Sequence, residues 1–232
     1  MRNCLLVLLS ISASSAAFAD EELPRVLILG DSISIGYTPV VQELLAGKAI
    51  VVRPMRTEKK AENCAGTTNG VEQIDRWLRI GGGNWEVIHF NFGLHDMKRV
   101  DPDTGKPSSN IDDPRQADVD KYAKQLESIV AKLQDSNADL IFATTTPVPA
   151  GGVKPHRDVD DPAKYNAAAK RIMERGEVAV NDLYKFVEDR QSEIQIPVNV
   201  HFTQKGSRML GRQVAEAIEN ALDGKPRQPG SE

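Results

Sequence analysis

Two residues far apart in the chain, Ser32 and His201, are of the types needed for nucleophilic attack on a carbonyl. A serine hydroxyl is a weak nucleophile until a base takes its proton, and a neutral imidazole is well suited to do so near neutral pH. Ser32 stands two residues past the apolar run Arg25-Val26-Leu27-Ile28-Leu29, in the turn Gly30-Asp31-Ser32. His201 stands in Val198-Asn199-Val200-His201-Phe202-Thr203, just before a residue suited to cap a helix. A serine in a turn is often only a cap, and a lone histidine is often structural. The pair therefore carries chemistry only if the fold brings both to one edge.

The elements that would do this are legible as alternating patterns. Continuous apolar runs at Arg25–Leu29, Ala49–Arg53, Glu86–Phe92, Leu140–Thr144 and Val178–Val180 read as buried parallel strands. Between them, helical periods appear at Tyr37–Ala46, Val71–Ile80, Tyr122–Leu133, Pro162–Gly176 and Asp182–Arg190. A last helix starts near Thr203, with Leu210, Val214, Ile218 and Leu222 on one face. Gly81-Gly82-Gly83 closes the second helix. Strands alternating with helices predict an α/β fold: a parallel five-stranded sheet covered on both faces, a three-layer sandwich. Ligands of such sheets bind at the carboxyl ends of the strands, where Gly30-Asp31-Ser32 and Gly93-Leu94-His95-Asp96 both fall. Two irregular stretches, 101–118 and 147–162, are rich in Pro, Asp and Gly. The first is long for a connection and is as consistent with a substrate-facing loop as with a solvated insertion. His156 and Arg157 lie in the second and read as substrate contacts or, as is commoner in such a loop, as solvated residues; His89, inside the third strand, reads as packed or hydrogen-bonded.

Four segments carry a resemblance. Leu29-Gly30-Asp31-Ser32-Ile33-Ser34 resembles the first signature block of SGNH/GDSL hydrolases, with Ile in place of the name-giving Leu. Asn63-Cys64-Ala65-Gly66-Thr67-Thr68, Phe92-Gly93-Leu94-His95-Asp96 and Val200-His201-Phe202-Thr203 resemble the second, third and last blocks, in the same order. The resemblance implies a flavodoxin-like sandwich and ester hydrolysis without a cofactor or metal. It implies Ser32 as nucleophile, His201 as base, and an oxyanion hole from the Ser32 and Gly66 N–H groups with a third donor at position 95. Exported bacterial members that look similar often remove acetyl groups from polysaccharides.

Two positions depart from that pattern. The third block of the family usually reads Gly-x-Asn-Asp, and here His95 replaces the Asn that donates to the oxyanion. A neutral imidazole keeps one N–H for the task if its tautomer is right. The family also usually places Asp three residues before the histidine, and here that residue is Val198, followed by Asn199. The Asn199 carbonyl is able to set the tautomer of His201 but carries no charge to stabilise an imidazolium. The expectation is a Ser-His dyad or a triad completed from elsewhere, with Asn199 as one possible orienter. Asp31 and Asp96 share the rim as candidate substrate contacts, each with a competing structural task.

Bulk properties narrow the rest. The 232 residues suit one α/β domain, 20–223, and the net charge of −4 gives no reason to expect nucleic acid. Arg2, the apolar run Leu5–Ile11 and Ala17-Phe18-Ala19 read as a signal peptide over 1–19, implying export to the periplasm or beyond. Cys4 leaves with it, so Cys64 remains as a single thiol, read as buried and structural. Residues 224–232 read as a frayed tail. No later run approaches a membrane span, so no stable membrane association is expected. No histidine spacing suggests zinc. Aromatic residues make up only 5%, which favours a small acyl group on a polar or glycan alcohol. A lysophospholipase or thioesterase, or a catalytically weakened glycan-binding relative, are the alternatives.

Overall fold

The computed structural model describes residues 22–224. The expected signal segment, 1–19, and the tail beyond Gly224 lie outside the described residues. In chain order the elements are β1 (Arg25–Leu29), α1 (Ser32–Leu44), β2 (Ile50–Val52), β3 (Met55–Thr57), β4 (Lys60–Ala61), α2 (Thr67–Leu78), β5 (Val87–Phe90), α3 (Val119–Gln134), β6 (Asp139–Ala143), α4 (Asp161–Arg175), β7 (Ala179–Asn181), α5 (Leu183–Glu188), α6 (Gln191–Ile194) and α7 (Gln204–Asp223). The five apolar runs form one all-parallel sheet in the order β2-β1-β5-β6-β7. The short antiparallel hairpin β3–β4 was not expected from sequence.

The central strands are apolar throughout because both faces are covered. α1 and α7 pack together on one face, and α2, α3 and α4 pack in succession on the other. Val26 to Leu29, Ile88, Phe90 and Phe142 are enclosed between these layers in one continuous core. Each such side chain contributes roughly 1.5–3 kcal/mol by leaving water, and together they fix the strand ends that carry the site.

Helix starts are set by caps at those ends. α1 begins at Ser32, earlier than the expected start at Tyr37, because the Asp31 carboxylate accepts from the Ile33 N–H at 2.9 Å. α7 begins as expected, with Thr203 Oγ1 accepting from the Gly206 N–H at 3.0 Å. After β5 the chain turns at Gly93, whose φ of 151° and place against Thr145 exclude a side chain: a Cβ there would lie 2.2 Å from Thr145 Oγ1.

The two irregular stretches are laced to each other. Arg99 N–H donates to the His156 carbonyl at 2.9 Å, and His156 N–H donates to the Ser108 carbonyl at 2.8 Å. Arg99 and Arg115 both reach Asp158 at 2.5 Å, and Arg115 also reaches Asp161 at 2.6 Å. Together they form one ordered cap beside the β5 turn.

Candidate active site

Ser32 and His201 meet. His201 Nε2 lies 2.9 Å from Ser32 Oγ, across 169 positions of sequence. Ser32 is placed by the first turn of α1, and His201 by the segment between α6 and α7.

The tautomer of His201 follows from its other contacts. Asn199 Oδ1 lies 3.0 Å from the His201 backbone N and 2.7 Å from His201 Nδ1. A backbone N–H can only donate, so the atom facing it is the amide oxygen. Nδ1 must then carry its proton and donate to the same oxygen. Nε2 is left with a lone pair aimed at the Ser32 hydroxyl, the state a general base requires. Val198, at the position where the family has Asp, points elsewhere: it is exposed and packs toward Gly151. The segment is braced by Gln195, a buried residue that sequence reasoning did not single out. Its side-chain amide donates to the Pro147 and Val200 carbonyls at 2.9 and 3.1 Å.

No hydrogen bond among the described residues takes the backbone N–H of Ser32 or of Gly66. Gly66 caps α2, and a Cβ on it would meet Asp96 Oδ1 at 2.8 Å, so the close approach requires glycine. Its segment is tied to the Ser32 turn by the Cys64 N–H donating to the Gly30 carbonyl at 3.1 Å. The Cys64 thiol is buried, which pushes its pKa up to about 12 and leaves it protonated.

His95 lies on the same rim, half-buried. Burial above all, then the charges of Lys98, Arg157 and His201, push its pKa down to about 3, so the ring is neutral. Lys98 Nζ stands 3.4 Å from His95 Nδ1. An ammonium only donates, so Nδ1 is the acceptor and Nε2 carries the remaining N–H.

Asp31 and Asp96, read as substrate contacts with a competing structural task, both perform the structural one. Both are buried and accept hydrogen bonds at helix starts, while Asp96 Oδ2 takes no partner among the described residues. Asp31 caps α1, and Asp96 Oδ1 accepts from the Thr67 N–H at 2.8 Å and the Thr67 hydroxyl at 2.6 Å. Desolvation raises the pKa of both, that of Asp96 to about 6. Arg157 departs from the solvated reading. It is not a solvated loop residue but a buried one, donating from Nε to the Leu94 carbonyl at 2.7 Å and from Nη1 to the Pro155 carbonyl at 3.1 Å. A lone arginine in an irregular stretch has no periodicity to betray such a position. His89 is packed as expected, with Nε2 3.3 Å from Asn181 Nδ2.

Comparison with known proteins places this geometry. The sequence pattern of the GDSL-like Lipase/Acylhydrolase family matches residues 28–209. No curated protein matches in sequence. Among solved structures, a lipase/acylhydrolase from Enterococcus faecalis is similar, with a TM-score of 0.66 and 19% identity over 89% of this chain and 100% of that one. The acetyl xylan esterase AlAXEase gives 0.61 and 17% over 84% and 99%. A carbohydrate esterase family 3 structure from Talaromyces cellulolyticus gives 0.63 and 16% over 88% and 100%. At these identities the likeness is one of fold.

Proposed function

Because this chain belongs to the GDSL-like lipase/acylhydrolase family and is a carboxylic ester hydrolase, we propose that it cleaves small, acetyl-like esters on carbohydrate through an acyl-Ser32 intermediate. The observation that carries this reading is the relay Ser32 Oγ to His201 Nε2 and His201 Nδ1 to Asn199 Oδ1, at 2.9 and 2.7 Å.

In the proposed first step His201 Nε2 takes the hydroxyl proton while Ser32 Oγ attacks the carbonyl carbon. The oxyanion that develops sits between the Ser32 and Gly66 N–H groups and His95 Nε2–H. His201 then gives its proton to the leaving alcohol. Water, deprotonated by the same nitrogen, releases the acid from Ser32. Asn199 holds the productive tautomer throughout. It lacks the charge an aspartate would offer the imidazolium, so turnover is slower than the same frame would allow with Asp.

The likeness of the fold to an acetyl xylan esterase and a carbohydrate esterase supports a small acyl group on a sugar alcohol. The same reading places the mature enzyme outside the cytoplasm, after removal of residues 1–19; no helix among the described residues is long and apolar enough to cross a membrane.

The test is an assay of purified mature protein with p-nitrophenyl acetate, p-nitrophenyl esters of longer acids and acetylated xylan, beside Ser32→Ala. The expected result is turnover of the acetyl esters that falls with chain length and vanishes in S32A. Equal rates for wild type and variant would refute the nucleophile, and a preference for long chains would refute the acyl group.

A further inference from the structure

Four long cationic side chains stand on the loops beside His95, and they divide into two kinds. Arg99 and Arg115 are matched by Asp158 and Asp161 in close ion pairs. Lys98 and Arg157 have no carboxylate within ion-pair distance among the described residues. Yet Arg157 is only 6% exposed, and Lys98 is half-buried. Removing two like charges from water beside each other is costly unless something of opposite sign completes the arrangement.

Both cations are fastened to the turn that carries the third oxyanion donor. Arg157 Nε holds the Leu94 carbonyl, and Lys98 Nζ faces the ring of the next residue, His95, at 3.4 Å. The Arg157 guanidinium is close enough to the nucleophile turn to be the strongest charge acting on Asp31, the residue before Ser32. Its Nη2 takes no partner among the described residues and is not one of the fully enclosed polar atoms left without a bond. Nη2 is thus the one guanidinium nitrogen without a protein partner among the described residues. Burial lowers the pKa of Arg157 to about 10, so the group stays protonated at neutral pH. The nearby carboxylates offset part of this charge through space but pair with neither cation: Asp31 accepts from the Ile33 N–H, and Asp96 Oδ1 from Thr67.

We propose that Lys98 and Arg157 form a subsite for a carboxylate carried by the ester, so that the preferred substrate is an acidic ester rather than a neutral one. This rests on the esterase reading above and names its substrate class. A carboxylate suits the place better than a dianionic phosphate, because Asp31 and Asp96 already offset part of the positive field. Arg157 Nη2 and the Lys98 ammonium donate to its two oxygens while the scissile carbonyl reaches the Ser32 and Gly66 N–H groups.

The experiment compares kcat/KM for three probes: acetylated methyl glucuronoside, acetylated methyl glucoside, and methyl glucoside esterified with succinate. The first carries its charge on the alcohol side and the third on the acyl side. One of them should exceed the neutral ester by roughly tenfold or more, the range for hydrogen bonds to a charged partner. That ratio should fall toward one in Lys98→Gln and in Arg157→Met. Ratios near one for both acidic probes in the wild type, with the esters turned over, overturn the subsite and leave the esterase reading intact. If no ester is turned over, S32A is titrated with glucuronate and with glucose. Preferential glucuronate binding, lost in the K98Q background, upholds the subsite while the esterase reading fails; equal or absent binding overturns both.

Discussion

Around Ser32 the rim is buried, whereas around His201 it is open. Asp31, Thr67 and Asp96 are 2%, 0% and 0% exposed, while Ile196 and Val198 are 37% and 48% exposed. On the buried side, position is set by strand ends and by carboxylates capping helices. Moving Ser32 or Gly66 means disturbing the core. On the open side, the imidazole is held by one amide oxygen, by the Gln195 brace and by the start of α7. The proposed nucleophile and oxyanion donors are therefore parts of the fold, while the proposed base is an attachment to it. Substitutions on the open side should change activity with little effect on stability, and those on the buried side should change both.

The largest separation of the two quantities is expected for His201→Ala. In a serine hydrolase, loss of the histidine costs on the order of 10⁴–10⁶ in kcat. The residue is exposed, so the free energy of urea unfolding should stay within about 0.5 kcal/mol of wild type. A stability loss of several kcal/mol would show that the histidine segment supports the core after all, and the contrast would fail.

His95 lies between the two regimes, half-buried and on the turn shared with Arg157. His95→Ala removes one donor to the oxyanion, a loss of roughly 10²–10³ in kcat with KM less affected. His95→Asn restores the side chain usual in the family and should recover most of that rate. Equal rates for wild type and H95A would leave the oxyanion with backbone donors only.

The same contrast explains what could be read from sequence. The five strands were legible because burial on both faces demands unbroken apolar runs such as Val26–Leu29. Ser32 and His201 were legible because they follow or precede such elements directly. Asn199 stayed one option among several, because nothing in spacing tells which of Val198 and Asn199 turns inward; the positive φ of Val198, 53°, decides it. Lys98 and Gln195 were not singled out, and the burial of Arg157 was not foreseen. Arg157 and Gln195 act through bonds to the distant Leu94 and Pro147 carbonyls, and Lys98 through the ring of His95, and such bonds leave no periodic trace.

On the buried side, Asp96 gives a pH-dependent signature. Its folded pKa of about 6 lies above the ordinary aspartate value of 3.8, so the native state binds the proton more tightly than the unfolded chain does. Stability from this group is present at low pH and is lost as pH rises from about 4 to about 6. Asp96→Asn cannot titrate, so the stability of wild type relative to D96N should fall by about 2 kcal/mol between pH 4.5 and 7.5. Urea unfolding of both proteins at the two pH values measures it. A difference independent of pH, or one that rises with pH, would place the carboxylate in a milieu unlike the one described.

The smallest expected effects test the attachment itself. Asn199→Ala removes the acceptor that fixes the His201 tautomer, a neutral bond contributing about 1 kcal/mol, so kcat should drop roughly fivefold. Asn199→Asp keeps the geometry and adds a charge that stabilises the imidazolium formed as Ser32 attacks. A charge-assisted bond is about twice as strong, which predicts kcat above wild type by a factor on the order of ten. Because the side chain is exposed, neither substitution should change the free energy of urea unfolding by more than about 0.5 kcal/mol. The pair is informative only together. A drop in N199A with a rise in N199D assigns the effect to charge at the relay. A drop in both would mean that residue 199 acts by holding the loop through its bond to the His201 N–H, and that the charge an aspartate brings is screened by solvent on this side of the rim.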